Sequence, residues 1–395
     1  MQRPDQIALL KRLLHFVETK STAMADDVWE NDTRIYTDPA HLEREQAELF
    51  RKYPLFMGFA REWAEPGSYS TDDHCGVPIL ISRGRDGVLR AFLNVCRHRG
   101  AKVAEGCGKA RVFSCPYHAW TYDLAGHVIG IPDERAFPDV RRNRESLKQL
   151  PLCEKHGLVW VLATPAADGA TTFDVDPWLS GLGPELGSWG FETWSFHDRR
   201  LIPEPMNWKV MVDTFNEGYH IGFLHRESLG PILHGNVTDF QAFGLNHRLV
   251  FPRKKLERLK GMPESEWDAM WYTTIVYSLF PNTIFIVQGD HVEVNRMFPT
   301  EGRPDRALME LALYVPNAAV TDDERAHWAK NMQLILDVVT GEDFPAGRTI
   351  QSGFLAGAQT HTVYGRNEPA MIHYHQSLRR ALQLPVDGDA RAAAE

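Results

Sequence analysis

Disulfide chemistry has little to work with in this sequence. Its 395 residues hold five cysteines, Cys75, Cys96, Cys107, Cys115 and Cys153, an odd and sparse set that points to free thiols or metal ligands in a reducing compartment. Long apolar runs are missing as well: none reaches the ~18 residues of a membrane span. An excess of positive charge is also absent. The 43 Lys and Arg against 52 Asp and Glu leave a net charge of −9, which argues against nucleic acid or an anionic membrane as the main partner. No G-x-G-x-x-G follows a strand-like run and no flavin motif is present, so the chain carries no nucleotide-binding fold of its own. No internal repeat stands out. The first twenty residues, MQRPDQIALLKRLLHFVETK, intersperse charges among apolar positions. They read as an amphipathic helix with Ile7, Leu10, Leu14 and Val17 on one face, not as a secretory leader, and a cytoplasmic location is expected. What remains is an ordinary globular composition, 43% apolar and 24% charged, in a chain long enough to bury a core without staples.

The patterning changes along the chain. Residues 1–54 read as helical. From 55 to 165 the sequence breaks into short β-like runs, such as VPILISR, LRAFLNV and GLVWVLA, punctuated by Gly and Pro turns. A Gly, Pro and Asp-rich stretch follows, and then a long helical candidate, MNWKVMVDTFNEGYHIGFLH. Strand-like runs succeed it, including MWYTTIVYSLF and ALMELALYV. Thr321 with Glu324 predicts a capping box and a helix ending at Gly341. Residues 166–385 thus form a larger mixed unit, and 386–395 a polar tail. The fold class is α+β.

Two groups of residues carry metal chemistry. Cys96-Arg97-His98 is followed by Cys115-Pro116-Tyr117-His118. Structural zinc accepts two Cys and two His, but zinc fingers keep like ligands together. Here each loop has one of each, which suits a [2Fe–2S] cluster with both Cys on one iron and both His on the other. The flanks, Asn94-Val95-Cys96-Arg97-His98-Arg99-Gly100 and Cys115-Pro116-Tyr117-His118-Ala119-Trp120, closely resemble a Rieske [2Fe–2S] domain of the oxygenase branch. The remaining cysteines, Cys75, Cys107 and Cys153, are expected to be buried small hydrophobes. Arg97, Arg99, Lys102, Lys109 and Arg111 crowd these loops, either as a docking face for an acidic electron donor or as a solvated rim.

The second group is Glu217-Gly218-Tyr219-His220-Ile221-Gly222-Phe223-Leu224-His225. Five residues of ideal helix leave two rings ~140° apart. Both His can face one metal only if the helix loosens or breaks before His225, where Gly222 would tolerate it. Two His and one carboxylate make the facial set of a non-haem Fe(II) oxygenase. The run from Asn207-Trp208-Lys209 to His225 is similar to the catalytic helix of Rieske non-haem iron oxygenase α-subunits, the aromatic-ring-hydroxylating family. That resemblance implies His220 and His225 as iron ligands, with a third carboxylate in Gly341-Glu342-Asp343-Phe344; Asp343 is preferred, Glu342 is its rival, and an N-cap role is the alternative for Asp343. It implies further that Glu217 bridges His220 to the partner subunit's His118. Asp213 stands where the family often has Asn, which leaves a role there open.

The resemblance implies an all-β Rieske domain and a helix-grip catalytic domain built on an antiparallel sheet. It also implies a homotrimer, with or without a β-subunit, and electrons from NAD(P)H through a reductase, with or without a ferredoxin. O2 and a small organic molecule are the co-substrates. Electrons would pass from the cluster at Cys96, His98, Cys115 and His118 through Glu217 to the mononuclear iron. Met211, Phe215, Tyr219 and Phe223, with aromatics from WYTTIVYSLF, are expected near the iron, which favours hydroxylation or oxidative demethylation of an aromatic substrate. Oxidation of a quaternary amine or betaine, with Asp213 as a cation anchor, is the second expectation. An electron-transfer protein without oxygenase activity is the third.

Overall fold

In the computed structural model residues 1–138, 146–317 and 321–386 are described, so the expected tail lies outside them from 387 onward. The chain divides into two units, one of 46–175 with 191–193, the other of 1–45, 176–190 and 194–395. The first runs past the expected boundary at 165. Residues 171–174 adhere to it, since Thr172 bridges to Leu152 and Asp174 pairs with Lys155 at 2.8 Å.

This first unit is all β among the described residues that carry its sheets. Five antiparallel strands are ordered 149–150, 89–93, 79–83, 68–72 and 107–109. Two three-stranded sheets complete it, one joining 152–155, 158–161 and 55–59, the other 113–114, 121–122 and 128–130. Cys96, Cys115, Phe92, Phe113, Trp120 and Tyr122 share one buried cluster.

The second unit is built on a seven-stranded antiparallel sheet. Its strands are β1 (Ser195–Glu204), β2 (Asp239–Phe243), β3 (Asn246–Pro252), β4 (Thr273–Leu279), β5 (Thr283–Val287), β6 (Val292–Pro299) and β7 (Ala307–Val315), in the spatial order β1-β7-β6-β5-β4-β3-β2. Strands β3, β4 and β6 are buried along their whole length, and the arginines they bury are paired, Arg248 with Glu185 and Arg296 with Glu310. Five helices concern the argument: α1 (Arg3–Thr19), α2 (Trp208–Asp213), α3 (Asp322–Val338), α4 (Phe344–Ala356) and α5 (Pro369–Ala381). The capping box of Thr321 and Glu324 opens α3.

Three expectations fail here. Residues 1–54 are not wholly helical: Trp29–Asp32 pairs antiparallel with His361–Tyr364. The helix opened at Thr321 does not stop at Gly341; a single wide π turn, Val339–Asp343, carries α3 into α4. The long helix from Met206 to His225 is cut short at Asp213. Tight bonds from Phe215 N–H to Val212 and from Asn216 N–H to Asp213 end it, and the buried Asn216 side chain bonds His247 instead of lying along a helix.

Candidate metal centres and active site

The two cluster loops share one hydrogen-bond plan. In each, the Cys N–H donates to the carbonyl five residues on, Cys96 to Ala101 and Cys115 to Trp120, both at 2.8 Å. In each, the residue four on donates back to the Cys carbonyl, Gly100 to Cys96 and Ala119 to Cys115, both at 2.9 Å. Closing so tight a loop needs a left-handed residue, and Gly100 and Ala119 both have positive φ, 82° and 56°. Glycine takes that conformation freely; alanine holds it at a cost of order 1–2 kcal/mol. Asn94, buried, pins the return of the first loop by accepting from Val103 and Ala104 and donating to the Ala104 carbonyl.

The loops bring the His98 and His118 rings to 4.6 Å, centroid to centroid. His98 stacks on Trp120 at 4.9 Å. The Nδ1 atoms of both imidazoles are buried with no hydrogen-bond partner among the described residues. Two orphaned imidazole nitrogens and two buried thiols on the same pair of loops are the donor set of a two-iron cluster, and these residues fit that group. Tyr122 accepts from Arg97 N–H at 2.9 Å and lies 3.4 Å from Cys96 Sγ. Burial and the Cys96 contact push its phenol above the ordinary range; with Cys96 a cluster-bound thiolate that has no proton to give, the hydroxyl would be the donor to the sulfur. Around the loops, Lys102 pairs with Asp73 at 2.6 Å and Lys109 with Glu65. Two of the five basic residues there are therefore locally compensated. Cys75 and Cys153 are buried as expected, but Cys107 is exposed on an edge strand.

In the second unit the break after α2 does what an ideal helix cannot. Residues His220–Gly222 wind as one 3-10 turn, and the His220 and His225 rings come to 4.8 Å. Gly218 permits the close passage there, since a Cβ on it would stand 2.5 Å from the Phe251 ring. The wide π turn presents the facing carboxylates. One donor atom each from His220, His225 and Asp343 lies within 4.8 Å of the others. Asp343 Oδ1 is 3.0 Å from His225 Nε2 and 3.7 Å from His220 Nε2. That oxygen is buried and, its approach to the two imidazoles aside, makes no hydrogen bond among the described residues, and the Asp343 side chain does not cap α4. Three converging donors with an orphaned carboxylate oxygen fit a mononuclear metal with open positions.

The far edges of both imidazoles are held by carboxylates. Glu217 meets His220 Nδ1 and also accepts from the His220 N–H. Glu342 Oε2 meets His225 Nδ1 at 2.5 Å and accepts from Ser228 Oγ at 2.7 Å. So Asp343 and Glu342 take opposite edges of one ring, and the rivalry between them resolves into two different positions. Burial alone would discharge His225, yet Asp343 and Glu342 outweigh it and raise its pKa. The family resemblance preferred Asp343 over Glu342; the turn of the chain sets the two at opposite edges of the His225 ring.

Asp213 lies elsewhere. It accepts from the buried Tyr36 hydroxyl at 2.7 Å and meets His375 Nε2 at 2.8 Å, and Tyr36 in turn meets the Tyr364 hydroxyl at 2.9 Å. It does not line the cavity and is no anchor for a bound cation there.

Beside His220, His225 and Asp343 opens a cavity of about 300 Å³, the size of a small-molecule site. Part of its wall is aliphatic, with Leu229, Leu233, Val276, Ile286, Leu334 and Val338 prominent, and part is polar, with Arg253, Gln288, Asp290, His291, Glu293 and Asn331. Of the aromatics expected there, Phe215 does line it, but Tyr219 and Phe223 are 52% and 75% exposed and Met211 packs in the core. Their helical spacing loses its meaning once the helix ends at Asp213. On β4 the alternation of a strand turns Thr274 and Val276 to the cavity and Tyr277 to Glu185 on the other face. No helix of the described residues is long and apolar enough to cross a membrane.

Comparison with known proteins agrees with both halves. Residues 55–151 match the Rieske [2Fe-2S] domain, and residues 191–384 match the ring hydroxylating alpha subunit (catalytic domain). The chain is 28% identical over 387 residues to the carnitine monooxygenase oxygenase subunit of Escherichia coli strain K12, covering 91% of this chain and 96% of that protein. It is 33% identical over 203 residues to the biphenyl 2,3-dioxygenase subunit alpha of Rhodococcus jostii strain RHA1, covering 48% of this chain and 42% of that one. Its fold is that of a quaternary ammonium Rieske monooxygenase solved with L-carnitine, with a TM-score of 0.76, 24% identity, and 90% and 96% of the two chains covered. A Rieske cluster and a mononuclear iron are the cofactors these matches imply, with O2 as oxidant and a reductase as the electron source. The chain belongs to the Rieske non-haem iron oxygenases, as the oxygenase α-subunit of a multicomponent system.

Proposed function

We propose that this oxygenase is a monooxygenase of quaternary amines of the betaine class. Cys96, His98, Cys115 and His118 would hold the cluster, and His220, His225 and Asp343 would hold Fe(II). Iron there would supply the O2-activating chemistry, which with two electrons and two protons puts one oxygen atom into a C–H bond and releases the other as water. The protein's part is positional. Glu217 and Glu342 fix the orientation of the two imidazoles from their far edges. In a homotrimer Glu217 would also meet the partner subunit's His118. Asp213, the last residue of α2, is committed to Tyr36 and His375 and acts as a positioning residue. The aliphatic wall keeps water from the reacting carbon.

The substrate class rests on one observation above others, the likeness to carnitine monooxygenase along nearly the full length of both chains. The faces of Phe215 and Phe251 in the cavity wall offer a cation weak aromatic contacts. A second reading, hydroxylation or demethylation of an aromatic acid, is supported by the aliphatic wall and by the likeness to biphenyl 2,3-dioxygenase. The test is substrate-dependent O2 uptake with a surrogate reductase and NADH. The panel is L-carnitine, γ-butyrobetaine, choline and 4-methoxybenzoate, with product identified for each. Coupled turnover of a betaine supports the first reading; coupled turnover of 4-methoxybenzoate alone replaces it with the second.

A further inference from the structure

One group in the cavity wall lacks the partner its neighbours have. Arg248 and Arg296, on β3 and β6, each meet a carboxylate, Glu185 at 2.7 Å and Glu310 at 2.9 Å. Arg253, just beyond β3, lines the cavity and meets no carboxylate among the described residues. Its guanidinium is nonetheless fixed. Nε donates to the Thr273 carbonyl at 3.1 Å and Nη2 to the Gln288 side chain, while Gln288 is itself tied to Glu293 at 2.8 Å. Nη1 is left uncommitted. The acids nearest to it are Asp290, which meets His291 and His327 at 2.8 Å each, and Glu293, which lies 3.4 Å from His291. His291 is held protonated, with its pKa up at about 9. Asp290 and Glu293 favour the charge of Arg253 from a distance, but no carboxylate of the described residues touches it, and a part-buried guanidinium with an open donor edge is incompletely paired. A planar, oriented guanidinium is the group that best engages a carboxylate.

We propose that Arg253 is the anion-binding residue of this cavity and that the substrate is therefore a carboxylic acid, anchored by its carboxylate while its other end reaches the iron ligands. This rests on the cavity being the oxygenase's substrate site, and it deepens the reading above. A betaine qualifies and choline does not. The second reading's aromatic acid would use the same anchor.

The experiment uses the metal-loaded protein, its Arg253→Met and Arg253→Lys variants, and two matched pairs: γ-butyrobetaine against its amide, and 4-methoxybenzoate against its amide. Binding is read by calorimetry and turnover by coupled O2 uptake. Arg253→Met should weaken binding of at least one acid, and raise its KM, by about 10- to 100-fold, the loss of one charged hydrogen-bonded contact. Its kcat should change far less, the amides should be unaffected, and Arg253→Lys should recover part of the affinity. An equal loss for acid and amide, no loss, or no acid binding to the parent protein overturns the proposal. The cluster's visible spectrum and thermal unfolding show that each variant is folded. Acids bound through Arg253 but never oxidised would sink the substrate reading and leave the anchor standing. Acids oxidised with an affinity indifferent to Arg253 would do the reverse.

Discussion

Removing the charge of Glu342 separates the two acids of the π turn most sharply. Glu342 Oε2 holds His225 Nδ1 at 2.5 Å and Ser228 Oγ at 2.7 Å, while Asp343 faces the other edge of the same ring. In Glu342→Gln the ring keeps an acceptor but loses a charged one, worth about 1.5–3 kcal/mol. Outer partners of this kind change metal affinity by about 10- to 100-fold, which is the same range. Mononuclear iron should therefore bind about 10- to 100-fold more weakly while the cluster's visible spectrum stays unchanged, because the cluster ligands belong to another unit. Asp343→Ala should abolish iron binding at this site outright. Iron affinity follows from competition with a chelator at fixed pH, with cluster absorbance as the internal control. Because Asp343 and Glu342 raise the pKa of His225, protons compete with iron for that ring, so iron affinity should fall as the pH falls. An Asp343→Ala variant that keeps its iron, beside a Glu342→Gln variant that loses it, would refute the assignment.

Two further outcomes follow from groups outside that turn. Tyr122→Phe removes the hydroxyl at 3.4 Å from Cys96 Sγ. If its bond favours the reduced cluster by about 1–1.5 kcal/mol, the midpoint potential should fall by roughly 45–65 mV in a one-electron titration, and an unchanged potential would refute the proton's placement. Burial disfavours protonated His291, yet its bonds to Asp290 and Glu293 outweigh this and hold its pKa up at about 9. A raised pKa contributes stability in full below roughly pH 6.5, lost as the pH climbs through the folded value. Thermal stability should therefore drop on the alkaline side by an amount on the order of 3 kcal/mol, and His291→Gln should flatten that slope.

How much of this was legible in the sequence depends on the range of the contact involved. The cluster motif was legible because a cluster demands particular donor atoms at fixed positions on two loops, and because the flanking Asn94 and Gly100 serve the loop itself. The capping box at Thr321 and Glu324 is equally local. The helix break at Asp213 was not legible, because the Asn216 side chain answers to His247, thirty-one residues away in sequence. With that break unseen, helical spacing placed Tyr219 and Phe223 beside the iron ligands when they face outward. The strand Trp29–Asp32 was invisible for a similar reason: its partner, His361–Tyr364, lies at the other end of the chain. Gly341 looked like a helix end because glycine usually is one after a capped helix. Only the wide turn that follows it brings Glu342 and Asp343 to opposite edges of His225.

The central claim, two iron centres held by seven named residues, is tested most directly by counting metals. Iron and acid-labile sulfide should be found at roughly three to two per chain in the parent protein. In Asp343→Ala, iron should fall to equal the sulfide. Zinc without sulfide in the parent protein, or iron in Asp343→Ala that still exceeds sulfide as before, would contradict it.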